Sequence, residues 1–167
     1  MSEVIFRTVH GSRLYGFANA DSDADTYVVT TSERTRPRQH VNGDTDTVTV
    51  GWDTFLRYAM GGSHQSVEAL FSPAKQWESH TELAPLLDGV RVTGGEVFAK
   101  YERTIRAFCF GDFKRRRHAV RLASNLGDLR DCGRFNPVCG DWLRGHSEQL
   151  AGLYAGEDLW AELVPHA

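Results

Sequence analysis

Val9-His10-Gly11-Ser12-Arg13-Leu14-Tyr15-Gly16, followed by Asp21-Ser22-Asp23-Ala24-Asp25-Thr26-Tyr27-Val28-Val29, is the stretch on which the reading of the whole chain depends. An apolar strand ends in Gly-Ser, a second glycine follows, and two carboxylates one residue apart lead into another apolar strand. In an extended strand residues two apart project to one side, so Asp23 and Asp25 present their carboxylates on one face. Such a pair repels unless a cation sits between the two groups. Mg²⁺ or Mn²⁺ takes carboxylate oxygens and keeps positions for a triphosphate and water. Gly11 lets the backbone approach a phosphate closely, and the Ser12 hydroxyl with the amides after it donates to phosphate oxygens. Together these parts predict a nucleoside triphosphate site with Gly11 and Ser12 on the phosphates and Asp23 and Asp25 on the metal.

At these residues the chain resembles the DNA polymerase beta-like nucleotidyltransferase superfamily, whose signature is Gly-Ser, a spacer of about ten residues, and Asp-x-Asp in a strand. Here ten residues separate Ser12 from Asp23, and Ser22 precedes the first aspartate. The likeness is greatest to small bacterial and phage predicted nucleotidyltransferases. Their further marks appear as Tyr15-Gly16, Val67-Glu68-Ala69-Leu70-Phe71 and the basic run Lys114-Arg115-Arg116-Arg117-His118-Ala119-Val120-Arg121-Leu122. The resemblance implies a third acidic residue on a strand beside Asp-x-Asp. Asp46 is that residue, with Asp44 as the alternative, because the strand register is open at this level. It also implies a metal-dependent transferase of the EC 2.7.7 type, cofactor Mg²⁺ (or Mn²⁺), with an NTP such as ATP as substrate.

Length and charge narrow the class. A chain of 167 residues is long enough for one domain with its own core. We expect a single domain, 1–167, with a sheet core carrying the catalytic motif over 1–75 and a helical part over 96–167 that forms one wall of a cleft. The fold class expected is α/β (α+β), a small mixed or antiparallel sheet bearing the Asp-x-Asp site and a mostly helical C-terminal half. No run approaches the ~18 apolar residues of a membrane span, and the start Met1-Ser2-Glu3-Val4 is no signal peptide, so a cytoplasmic location is expected. Cys109, Cys132 and Cys139 show no Cys-x-x-Cys spacing and read as reduced thiols; zinc held by Cys132, Cys139 and a histidine is the competing reading.

The net charge of −3 argues against a general nucleic-acid binder, yet it is unevenly spread. From Lys100 to Arg121 eight basic residues face two acidic ones. An acidic metal site together with a basic patch suits polyanions.

Along the chain, Val4–Val9, Asp25–Thr31 and Thr45–Val50 read as strands. Ser12–Phe17 is a tight turn or single helical turn stopped by Gly16. Residues 32–44, with three arginines and no apolar periodicity, read as a loop that orders with substrate. Asp53 is the expected N-cap of a helix halted by Gly61-Gly62, and a second helix covers Ser66–Phe71. Glu68 on it is either an exposed charge or a contact to base, ribose or a Lys/Arg near the site. Glu96–Phe110 and a helix from Gly111 or Asp112 to Cys132 follow. On the latter Ala119, Leu122, Leu126 and Leu129 form an apolar stripe, and Lys114, Arg117, His118 and Arg121 gather roughly 110° away. These four are either a solvated face or contacts to phosphate or RNA. His10, at a strand end, is structural or touches substrate. Closing helices over Asp141–Tyr154 and Glu157–Leu163 bury Trp142, Leu143, Leu150, Leu153, Trp160 and Leu163.

The reaction expected is transfer of a nucleoside monophosphate to an acceptor hydroxyl, foremost an RNA or tRNA end, with a protein side chain or small molecule as other acceptors. A catalytically inert relative that only binds nucleotide or RNA stays open, as does the oligomeric state.

Overall fold

The computed structural model describes residues 1–164, and the last three residues of the expected helical part lie outside that range. The described residues form two compact units, residues 1–90 with 136–138, and residues 91–135 with 139–164.

The first unit is a mixed five-stranded sheet in the order β3-β4-β2-β1-β5. Its strands are β1 (Val4–His10), β2 (Ala24–Thr30), β3 (Arg38–Asn42), β4 (Thr45–Gly51) and β5 (Gln76–Trp77). β1 runs antiparallel to β2 and β5, β4 runs antiparallel to β3, and β2 and β4 are parallel. β2 is central, which is why Tyr27-Val28-Val29-Thr30 is buried at every position and not only at alternate ones. Four α-helices belong to this unit: α1 (Gly11–Tyr15), α2 (Trp52–Met60), α3 (His64–Phe71) and α4 (Ala84–Gly89), the last entered from a 3-10 turn at Thr81–Leu83.

Register assigns the strand residues to faces. Phe6 pairs with Val29, Thr8 with Tyr27 and His10 with Asp25, and this set shares a face with Val48 and Val50 of β4. α2 and α3 cover it. Phe55 meets Phe6 edge-on at 5.5 Å between ring centres and Tyr27 at 6.1 Å. The polar atoms of this core are matched, with Tyr27 Oη 2.8 Å from Ser66 Oγ and Thr8 Oγ1 2.6 Å from Ser72 Oγ.

Three expectations change here. Residues 32–44 are not a free loop, because β3 lies within them as an edge strand. All five of its residues are exposed, so no apolar alternation marks it in the sequence. The turn before it is fastened: Thr54 Oγ1 donates to Arg34 O (2.6 Å), and Arg57 Nη2 donates to Thr35 O (2.8 Å). Asp53 is not the N-cap of α2; Gly51 is, and Asp53 lies in the first turn, where its charge favours the helix N-terminus. Glu68 is not the exposed charge that one reading made it, and its burial closes it to base and ribose. It is fully buried and accepts from the Tyr15 hydroxyl.

Gly51 is required by close approach. A Cβ there would stand 1.9 Å from the Ser32 carbonyl oxygen. Gly51→Ala is therefore expected to push the 31–37 segment off the sheet and to cost about 1–3 kcal/mol, read as a lower urea midpoint at constant m-value.

The second unit is helical: α5 (Gly95–Cys109), α6 (Phe113–Cys132), α7 (Asp141–Leu153) and α8 (Gly156–Leu163). Asp112 caps α6, its Oδ1 accepting from Arg115 N at 2.9 Å, and Gly133 ends it in the left-handed region at φ 74°. The predicted stripe Ala119, Leu122, Leu126 and Leu129 is fully buried, as are Tyr101, Ile105 and Cys109 of α5. Trp142 and Leu153 depart from expectation, being 75% and 66% exposed. Ser147 and Ala151 define the inward line of α7, and Trp142 projects roughly 140° from Ser147 at 100° per residue. It stacks instead on His146, with ring centres 4.8 Å apart.

Burial pushes the Cys109 thiol up to about 11 and the Tyr27 phenol up to about 12. Folding holds these protons more tightly than the unfolded chain does, so the stabilisation is complete below pH 9 and is lost as pH rises through 11 and 12. A steady fall in melting temperature across pH 9–12 is expected. Thiol reagents at pH 8 should label exposed Cys132 and spare Cys109.

Candidate active site

β1, β2 and β4 bring three predicted residues to one end of the sheet. His10 of β1 opposes Asp25 of β2, and Asp25 opposes Asp46 of β4. Residues opposite one another share a face, so the Asp25 and Asp46 side chains project to the same side as Tyr27. Asp23 stands one step before β2 on the same line and is exposed. Asp44 lies at the matching step before β4, and its carbonyl accepts from Ala24 N at 2.7 Å. The register thus pairs Asp46, not Asp44, with Asp25.

Gly11 sits against the Asp25 carboxylate. Its φ is 65°, and a Cβ at this position would meet Asp25 Oδ2 at 2.2 Å. Only glycine permits both the backbone angle and the approach. Ser12 follows at the start of α1, 7% exposed, with its carbonyl accepting from the amides of Gly16 and Phe17. Gly16 closes α1 at φ 82°, as its place in the sequence predicts.

Asp46 rests on a different neighbour. Gln39 Nε2 of β3 donates to Asp46 Oδ2 at 2.6 Å, while Asp46 Oδ1 is buried without a hydrogen-bond partner. A buried, unmatched carboxylate oxygen is costly, and a cation is the ligand that would satisfy it. The donor set is all oxygen, which suits Mg²⁺ or Mn²⁺. Among the described residues no group of three or more His, Cys, Asp or Glu side chains stands together as a metal site. Asp25 and Asp46 are the two carboxylates that the register sets side by side, and their oxygens are the donors a divalent ion would need here.

Two residues of this region escaped sequence reading. Gln39 belongs to the strand that the pattern concealed. Arg13 holds the approach to β2, with Nε donating to Asp23 O (3.1 Å) and Nη2 to Ser22 O (2.9 Å). An arginine directly after Gly-Ser was the available signal. With Asp21, Ser22, Ala24, Asp44 and Thr45 it lines a cavity of about 420 Å³. His10 is 6% exposed, its ring 5.8 Å from that of Tyr27 and 6.3 Å from that of Tyr15, which makes it part of the packed floor.

The basic run of α6 is less free than its composition suggests. Arg116 binds the carbonyls of Ala151 (3.1 Å) and Gly111 (3.0 Å), and Arg117 pairs with Glu148 at 3.6 Å, so part of the charge ties α6 to α7. Lys114 is exposed, and Arg117 and His118 are half-buried. Arg121 is 1% exposed, with Nε donating to His118 Nδ1 at 3.4 Å. An accepting Nδ1 leaves the proton of the neutral ring on Nε2.

A mixed sheet that ends one strand in Gly-Ser and sets an aspartate at the same rung of two neighbours has the layout of a polymerase beta-like nucleotidyltransferase. The family model for RlaP, the RNA repair pathway DNA polymerase beta family, matches residues 1–101, and the chain belongs to that family. Comparison with curated proteins finds no match. Among solved structures the chain is similar to a nucleotidyltransferase-like protein from Exiguobacterium sibiricum 255-15, with 12% identity and a TM-score of 0.38. That similarity covers 98% of this chain and 66% of the other, so the chain spans about two thirds of its length. No helix among the described residues is long and apolar enough to cross a membrane.

Proposed function

We propose that the protein transfers a nucleoside monophosphate from an NTP to the terminal hydroxyl of an RNA, releasing pyrophosphate. The observation that carries this reading is the pairing of Asp25 with Asp46 across parallel strands, with Gly11 pressed against Asp25. Family membership supports nucleotidyl transfer, and the family's own description supports RNA as acceptor.

Asp25 and Asp46 are the residues that would hold a divalent ion, Mg²⁺ or Mn²⁺, with Asp23, one residue before β2, proposed as a third ligand. Such an ion, when bound, supplies charge neutralisation for the triphosphate and acidifies an attacking hydroxyl. Gly11 and Ser12 line the approach for the phosphates. Arg13 keeps the 21–23 segment in place by its two backbone contacts, which orders Asp23 relative to Gly11. In-line attack on the α-phosphorus forms one P–O bond and breaks another, so positioning and charge compensation carry most of the catalysis. Lys114, Arg117 and His118 are proposed for phosphate or RNA contacts, with Arg121 as a positioning residue that fixes the tautomer of His118.

One observation favours a second reading, an inert binding relative: Gln39 occupies one oxygen of Asp46. Calorimetry of NTP binding with and without Mg²⁺ separates the two, since an inert module would bind regardless of metal. The direct test is incubation with each labelled NTP, Mg²⁺ or Mn²⁺, and total cellular RNA or protein. Label is expected in the RNA fraction. Label confined to protein would replace the acceptor, and label in neither fraction would remove the transferase reading.

A further inference from the structure

The face of β3 and β4 turned away from the aspartates has a chemistry the proposed reaction leaves unused. Arg38 opposes Thr49 and His40 opposes Thr47, so these four side chains share that face, whereas Gln39 and Asp46 lie on the other. Arg34 joins them from the fastened turn. Together with Ser32 they line a cavity of about 480 Å³ to which no carboxylate contributes. Among the described residues none of Arg34, Arg38 and His40 makes an ion pair, in contrast with Arg7, which pairs with Glu78, and Arg117, which pairs with Glu148. The site is also built. The Ser32 carbonyl is packed against Gly51, Ser32 Oγ accepts from Arg34 N at 3.3 Å, and the Arg34 carbonyl is held by Thr54.

We propose that this groove binds the sugar-phosphate backbone of the RNA acceptor, upstream of the end that reacts. Arg38 and His40 are two strand residues apart, roughly 6.8 Å, and form a row of cationic and polar donors in place of one focus. Interleaved hydroxyls from Thr47 and Thr49 add donors for phosphate and ribose oxygens. A row suits a chain of single-charge phosphates. A metal-bound triphosphate needs oxygen ligands for its ion, and this cavity offers no carboxylate. Because β4 carries Asp46 on one face and Thr47 on the other, an RNA strand passing round the β3 edge has its backbone in the groove and its end beside the aspartates. The inference rests on the reading of RNA as acceptor.

The test is fluorescence anisotropy with a labelled 12-nucleotide oligouridylate over a range of salt, comparing the wild type with Arg34→Ala/Arg38→Ala and with Arg34→Lys/Arg38→Lys. The alanine pair is expected to bind at least tenfold more weakly, with a salt slope shallower by about 1.4, while Mg²⁺-NTP binding is unchanged. The lysine pair should retain the wild-type slope. Wild-type RNA binding that both variants preserve in affinity and slope would overturn the groove and leave the acceptor reading intact. No RNA binding by the wild type would overturn both. Loss of NTP binding in the alanine pair would make the cavity a nucleotide site and overturn the proposal.

Discussion

Asp25→Asn is expected to lower metal-dependent nucleotidyl transfer by roughly 10³-fold while leaving the melting temperature unchanged or slightly raised. The substitution keeps the shape of the side chain and removes one negative charge from a pair at the same rung of two parallel strands. Like charges opposite one another destabilise a sheet, which offsets the loss of the other contacts of the Asp25 carboxylate. Binding of Mg²⁺-NTP should weaken in calorimetry, while binding of NTP without metal should not. Asp46→Asn should behave alike, with the neutral amide still within reach of Gln39. Asp23→Asn should also abolish transfer and leave the fold. Full activity in any of the three variants would remove that residue from the assignment.

Gly11→Ala is expected to abolish measurable transfer and also to destabilise the protein by about 1–3 kcal/mol. Two effects coincide. An L-residue is strained at φ 65°, and its Cβ would fall on the Asp25 carboxylate, which must swing away. Gly43 provides the control, because it too has positive φ (58°) but nothing lies within 4 Å of a Cβ there. Gly43→Ala should show only the part of the stability loss that comes from the backbone angle and keep activity. Equal activity in the two alanine variants would show that contact between Gly11 and Asp25 is irrelevant to the reaction.

Strong local patterns carried the sequence reading. Val4–Val9 and the apolar run after Asp25 became β1 and β2 because β-branched and aromatic side chains suit a pleated, buried surface. The stripe of α6 is buried as its periodicity requires, and Gly16 and Gly133 end their helices in the left-handed region. Where pattern was absent, the reading failed for that reason. β3 is an exposed edge strand held by backbone pairing to β4, and backbone pairing leaves no trace in side-chain polarity. Glu68 looks like any helix carboxylate until its partner, Tyr15, 53 positions earlier, is brought to it. Arg116 and Arg117 read as part of a free basic patch because their partners, Ala151 and Glu148, lie on a later helix.

The family, the Gly-Ser turn and the presence of acidic residues in strands are properties of residue types at short spacing, and the amino-acid sequence determines them unaided. Which aspartate stands beside Asp25 is a matter of register. Asp44, one residue before β4, and Asp46 within it are two apart in sequence, so alternation cannot separate them, and only the parallel pairing of β2 with β4 sets Asp46 beside Asp25. Tertiary structure likewise decided that Asp25 lies over Gly11 and that Asp46 is met by Gln39. It also set Arg34, Arg38 and His40 on the face opposite the aspartates. Each of these depends on strands that are distant or unrecognisable in sequence and are joined by backbone hydrogen bonds that any residues can make.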